Sequence, residues 1–270
     1  MDLDQYGDIA ERDIEIGNPV TDRKLRLLED YCDLRDGLGV VDVGCGKAWV
    51  LRQWAERFAI AGVGLERNHR FLDFARDRPP GKGAIRYVLG KADTFDAPPE
   101  SFDITMCLGA TEALGGFVGA VDWMVERTRP GGTIVVGDMT LKHRPSAAQD
   151  HVLPHDAVDT IAIIERHGAE VSAVISASDA DYERYASHRR HATLVWAREH
   201  PNDPGCADVL AQSRLEWSDY LRWIRPYYGW AIFVARKAGG SATDSAIRQT
   251  AAPSARDTAP QRQRASLFRR

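Results

Sequence analysis

The stretch GVVDVGCGKAWVLRQWAERF, residues 39–58, constrains the fold more than any other part of the chain. Val40, Val41 and Val43 form a short apolar run with the β-branched character of a buried strand. Gly44-Cys45-Gly46 follows at once as a tight turn. Val50, Leu51, Trp54 and Phe58 then recur at helical spacing. The order is therefore strand, glycine turn, helix. The same alternation continues downstream. AIAGVGLERN is a second strand ending at Glu66, followed by a helix marked by Phe71, Leu72 and Ala75. AIRYVLGKAD predicts a third strand ending at Asp93, and FDITMCLGA a fourth. Val118, Val121 and Val125 mark the next helix. Arg129-Pro130-Gly131-Gly132 reads as a turn before a fifth strand, TIVVGD. Five alternations specify a parallel sheet with helices on both faces. Ligands then bind at the C-terminal edge of the strands. That edge gathers Asp42, Glu66, Asp93, Leu108 to Glu112, and Asp138.

The flanking segments extend this core. Leu27, Leu28, Tyr31 and Leu34 predict a helix after Asn18-Pro19, within an N-terminal helical cap over residues 1–36. Asp156 to His167 predicts a helix stopped by Gly168. AEVSAVISAS is a strand, and Ser178 with Asp181 forms a capping box for the helix that follows. A further helix runs from about Ala207 to Ile224, and Trp230 to Val234 is a last strand. Residues 179–229 are thus a helical lid inserted between the last two strands. Residues 1–238 form one domain with its cofactor core at 37–140. The remaining 239–270, rich in Ala, Ser, Gln and Arg, read as a disordered tail.

Charge and cysteine usage narrow the classes. The net charge is −4. The tail carries Arg248, Arg256, Arg262, Arg264, Arg269 and Arg270 against Asp244 and Asp257, so the body is more acidic than the total suggests. An acidic body lacks the clustered cations of a nucleic-acid groove, and nucleic acid is not the expected partner. Cys32, Cys45, Cys107 and Cys206 match no zinc spacing and read as reduced thiols, so no metal is expected. The acidic N-terminus is no signal peptide, and no apolar run is long enough for a membrane helix. The expectation is a cytoplasmic protein with no membrane partner.

The glycine turn identifies the ligand's chemistry. A dinucleotide fingerprint needs a small residue where this chain has Trp49. Asp42 sits at the strand end, where a diphosphate would have to lie, and a carboxylate there repels phosphate. It suits a ligand that brings an ammonium group. S-adenosyl-L-methionine has an ammonium, a sulfonium and a ribose but no phosphate. Gly44, Cys45 and Gly46 let backbone approach it. Glu66, with Arg67 beside it, can accept the ribose hydroxyls. Asp93 can accept from the adenine amine, with Thr94 beside it. Leu108 and Gly109 can pack on the adenine face. Lys47 reads as helix surface.

VVDVGCGKA, GVGLERN, GKADTF, FDITMCLGA and RPGGTIVVGD, in this order and spacing, resemble the successive motifs of the class I S-adenosylmethionine-dependent methyltransferases. The resemblance covers about residues 37 to 140, and GWAIFVARK is similar to the last strand of that fold. CLGATEALGG and the Trp/Tyr-rich C-terminal helices are similar to a bacterial subgroup acting on small molecules. The fold implied is α/β and Rossmann-like: seven strands, mostly parallel, the last antiparallel, helices on both faces, and a helical insertion between the last two strands.

The activity implied is methyl transfer to a small-molecule acceptor by direct in-line displacement, leaving S-adenosyl-L-homocysteine. Glu112 and Asp138 are the candidate catalytic residues, able to take a proton or bind an amine. His155, Tyr227 and Trp223 are candidate acceptor contacts. Relatives often carry His or Trp at the position of Glu112, and Glu at that of Asp138. An aromatic lid over an acidic floor suits an aromatic or amine-bearing acceptor. The alternatives are a nucleic-acid methyltransferase, which lacks its Pro-Pro-Tyr signature here, an NAD-dependent oxidoreductase, against which Asp42 and Trp49 count, and a degenerate binding module.

Overall fold

Side chains on β1 (Gly39–Val43) alternate between two apolar layers, as the two-residue period of a strand requires. Val40 joins Leu51, Trp54, Met106 and Trp230 on one face of the sheet; Val41 and Val43 join Phe117, Met124, Ile164 and Phe233 on the other. A strand buried on both faces belongs at the centre of a sheet. The computed structural model, which describes residues 3–144 and 153–239, places it there. β1 pairs in parallel with β2 (Ala61–Glu66) on one side and β4 (Phe102–Leu108) on the other. With β3 (Ala84–Leu89), β5 (Thr128–Leu141), β6 (Ala169–Ser176) and β7 (Tyr228–Lys237), the order is β3-β2-β1-β4-β5-β7-β6. β7 runs antiparallel to both β5 and β6. The strand order reverses between β1 and β4, so a crevice opens at their C-terminal ends.

Helices cover both faces. α1 (Leu3–Ala10), α2 (Asp22–Arg26) and α3 (Leu28–Tyr31) precede the sheet. α4 (Trp49–Arg57), α5 (His69–Arg76), α6 (Phe117–Arg127) and α7 (Ala157–Arg166) connect its strands. Between β6 and β7 come α8 (Asp179–Glu199), α9 (Cys206–Asp219), a π-helical turn at Tyr220–Ile224, and α10 (Arg225–Tyr227). The expected capping box starts α8: the Ser178 hydroxyl accepts from the Asp181 N–H, and the Asp181 carboxylate accepts from the Ser178 N–H. No helix among the described residues is long and apolar enough to cross a membrane.

Three elements differ from the sequence reading. The helix expected over Leu27 to Leu34 is two short helices, α2 and α3, broken at Leu27; the break still lets Leu25, Leu28 and Cys32 enter the core. β3 ends at Leu89, so Asp93 lies beyond it on a 3₁₀ turn, Ala92–Thr94. β5 begins at Thr128, taking in the expected turn, and continues past Asp138 to Leu141 because β7 pairs with it as far as Tyr228. The expected tail lies outside the described residues, Gly239 excepted.

The N-terminal segment is tied to the rest by buried charge. Lys47 is not a surface residue: it is 7% exposed. Its ammonium donates to the carbonyls of Glu11 (2.8 Å), Arg12 (3.1 Å) and Ile14 (2.7 Å). Burial lowers its pKa from the ordinary lysine value. Asp8 accepts from the Asn68 amide at 2.6 Å and pairs with Arg70. On the side of the inserted helices, Arg189 bridges Glu11 and Glu216, and the Tyr6 hydroxyl donates to Glu216 at 3.0 Å.

Removing the arginine would leave two carboxylates facing each other with little water. Arg189→Met should lower unfolding free energy by about 3 kcal/mol in urea denaturation. Lys47→Met should lower it by about 2 kcal/mol, since three carbonyls lose their donor. In that variant limited proteolysis should cut first within residues 11–17.

Candidate functional site

The turn after β1 is shaped by two glycines with left-handed backbones, Gly44 (φ +71°) and Gly46 (φ +55°). A Cβ on Gly44 would fall 2.2 Å from the Cβ of Ala110, so only glycine lets this turn close against the loop after β4. A Cβ on Gly46 would meet nothing within 4 Å, so that side of the turn faces open space. The Gly44 and Cys45 N–H groups donate to the Leu65 carbonyl at 2.8 and 3.0 Å, docking the turn onto the end of β2.

Glu66 is held from three sides. One carboxylate oxygen accepts from the Gly46 N–H at 3.0 Å; the other accepts from the Arg67 and Asn68 N–H groups, each at 2.8 Å. Asp42 is 4% exposed, and its Oδ1 has no hydrogen-bond partner. Burial, and secondarily the charge of Glu66, pushes its pKa up to about 8. A buried carboxylate oxygen without a donor, beside a glycine turn that opens outward, is a place for a cationic ligand group. Cys45 packs against Gly64, and burial pushes its thiol pKa well up, so it offers backbone and bulk rather than a reactive sulfur.

The second half of the crevice comes from β4 and β5. Leu108 is half-buried, and Gly109 (φ +88°) donates its N–H to the Gly137 carbonyl at 2.8 Å. Thr111, fully enclosed, donates its hydroxyl to Asp138 Oδ2 at 2.5 Å, while Asp138 Oδ1 accepts from the Met139 N–H at 2.6 Å. Asp138 therefore already anchors the 3₁₀ turn Thr111–Leu114, on which Glu112 is exposed. Asp93 and Thr94 are exposed on their own turn, with the Thr94 hydroxyl bonded to the Lys91 carbonyl at 2.8 Å. Arg67 is exposed. The structure thus brings Asp42, Gly44, Gly46 and Glu66 into one hydrogen-bonded group, with Thr111 and Asp138 as a second pair.

The candidate acceptor contacts gather farther out, at the end of β5. The His155 carbonyl accepts from the Leu141 N–H at 3.0 Å, and the Tyr227 carbonyl from the Lys142 N–H at 2.8 Å. Trp223, 37% exposed, lies 6.1 Å from the Tyr227 ring. Sequence reasoning passed over Thr111, Glu11 and Arg189, and took Lys47 for helix surface. Arg189 had a signal: Tyr182, Tyr185, Ala186 and Arg189 share one helical face by spacing. Glu11 had none, because its partner stands 178 residues away.

Comparison with known proteins agrees with this arrangement. Residues 41–136 match the methyltransferase domain family. The chain is 24% identical over 246 residues to the uncharacterized protein YjhP of Escherichia coli (strain K12), covering 86% of this chain and 98% of that protein. A methyltransferase dependent on S-adenosylmethionine from Geobacter sulfurreducens, solved with S-adenosyl-L-homocysteine, superimposes with a TM-score of 0.77 at 25% identity, covering 86% of this chain and 98% of the other. Its counterpart from Thiobacillus denitrificans, also with S-adenosyl-L-homocysteine, gives 0.77 at 25% identity over 88% and 100%. Residues 41–136 thus carry a methyltransferase domain, and the motifs in order, the sheet topology and these likenesses support a class I S-adenosylmethionine-dependent methyltransferase.

Proposed function

We propose that this protein binds S-adenosyl-L-methionine at the β1–β4 crevice and methylates a small organic acceptor held beneath the inserted helices. The observation that carries the reading is the Asp42 carboxylate, buried and lacking a donor at Oδ1, under the glycine turn. An ammonium group would supply the missing partner; a diphosphate would meet like charge. Glu66, already fixed by three N–H groups, would accept the ribose hydroxyls. Asp93 and Thr94 would meet the adenine amine, Leu108 and Gly109 its face, and Arg67 the outer edge. The cofactor supplies an activated methyl whose carbon–sulfur bond breaks toward sulfur as the acceptor's lone pair attacks, leaving S-adenosyl-L-homocysteine.

The chain's own task is then to hold the acceptor in line and keep water out. Asp138 would orient the acceptor through the turn it anchors, or take the proton that the acceptor loses. Glu112, exposed on that same turn, would pass a proton to solvent or meet a cationic acceptor. His155, Tyr227 and Trp223 would contact the acceptor from the end of β5. An aromatic or amine-bearing acceptor fits the tyrosines and tryptophans of the insertion.

Asp42 sets a pH dependence whose sign follows from its raised pKa. Below about pH 8 the free protein holds this carboxyl protonated. A cationic group binds the ionised form, so binding must expel the proton. Affinity for S-adenosyl-L-homocysteine should rise between pH 6 and 8, by up to about tenfold per unit. Calorimetry in buffers of different ionisation heat should record close to one proton released. Asp42→Asn should flatten this dependence and weaken binding by about tenfold or more. NAD⁺ titrated under the same conditions should show no binding; its binding in place of S-adenosyl-L-homocysteine would return the chain to the oxidoreductase reading.

A further inference from the structure

α1 stands between two surfaces that hold it by different forces. Tyr6 and Asp8 are two residues apart, which places them about 200° apart around the helix. On one side Tyr6, Ile9 and Ala10 are buried and pack with Trp196 of α8 and Val209 of α9, in a small apolar cluster of their own. On the other side Asp8 accepts from the Asn68 amide at 2.6 Å and pairs with Arg70 at 3.3 Å, at the start of α5.

Residues 11–13 continue the same arrangement. Glu11 meets Arg189 and Tyr185 of α8, and Arg12 pairs with Glu199 at 2.8 Å. Across from them Lys47 holds the carbonyls of Glu11 and Arg12, and that of Ile14 just beyond. After this point the chain is packed more firmly: Ile14 is buried, and Val20 belongs to the main core. Parting α1 from the inserted helices would bring Tyr6, Ile9 and Ala10 into water. Parting it from α4 and α5 breaks hydrogen bonds and one ion pair, whose groups water can take up in exchange. The second separation is the easier one.

The polar attachments lie beside the two groups that shape the crevice. The Gly46 N–H donates to the Glu66 carboxylate at 3.0 Å. Lys47 is the residue after the first of these, and Asn68 stands two residues after the second. The N-terminal segment therefore runs from the rim of the crevice to the inserted helices.

We propose that residues 3–13 are a strap carried by the inserted helices, that the strap closes over the cofactor in the crevice, and that Lys47 is the positioning residue that latches it. The inference rests on the cofactor reading above. The latch joins an ammonium to backbone carbonyls and uses no group of the ligand. Its strength is thus the same with the crevice filled or empty. A gate of this kind slows entry and exit by one common factor, which cancels from the equilibrium affinity.

The test is stopped-flow fluorescence of the full chain mixed with S-adenosyl-L-homocysteine, where the observed rate against ligand concentration gives kon as slope and koff as intercept. Lys47→Met should raise both constants about tenfold and leave Kd within about threefold. Asp8→Ala, which keeps the apolar side of α1 intact, should raise both about threefold. Thermal unfolding confirms that each variant is folded, and Asp8→Ala carries the test should Lys47→Met not fold. Unchanged rate constants in the folded variants overturn the strap and leave the cofactor reading standing. So does a Lys47→Met protein that loses affinity through koff alone, because that describes a damaged binding turn and not a freed gate. If the unaltered protein binds no S-adenosyl-L-homocysteine, the cofactor reading itself fails and the strap falls with it.

Discussion

A carboxylate can stay buried without a donor only where the fold holds it there and something else offsets the cost. Asp42 is held by the central strand of the sheet, between β2 and β4, at the point where strand order reverses. Its position leaves the chain no freedom to turn it toward solvent. The rest of the crevice is arranged around that constraint. Gly44 lets the turn close on Ala110, Gly46 leaves its side open, and Glu66 fixes the turn through the Gly46 N–H. Burial, and then the nearby charge of Glu66, raise the cost of ionising Asp42, which is why its pKa lies so far above an ordinary carboxyl. A cationic ligand group would relieve both burdens at once.

The same turn is also where the N-terminal segment is fastened. Lys47, between Gly46 and Ala48, holds three carbonyls of residues 11–14. Glu11 then reaches the inserted helices through Arg189 and Tyr185. One short segment thus touches the glycine turn with its backbone and the inserted helices with its side chain. Asp8, bonded to Asn68 just after Glu66, adds a second attachment to the crevice. The glycine turn and the inserted helices are thereby joined through residues 11–14. A change in the N-terminal segment would be felt at both.

Much of this was legible in advance because it is local. The valines of β1 and the glycines after them define a strand and a turn by residue type alone. Asp42 and Glu66 stand at strand ends that apolar runs delimit, and the Ser178–Asp181 cap is a four-residue pattern. Where the local rule met competition, the reading slipped. Asp93 follows β3 rather than ending it, because β3 is an edge strand that stops at Leu89. β5 runs beyond Asp138 because a strand far away in sequence pairs with it. Lys47 looked like helix surface because a lysine gives no local sign of three carbonyls lying over it.

The sequence by itself determined the alternation of strands and helices, the glycine turn, and the acids at the strand ends, since each depends on neighbours within a few residues. Only the tertiary structure decided which polar groups are satisfied. It left Asp42 Oδ1 without a donor, gave Thr111 to Asp138, and closed Arg189 between two glutamates from opposite ends of the chain. The reason is physical: hydrogen bonding and desolvation depend on what packs within about 3–4 Å, and the chain's order along its length does not specify those distances.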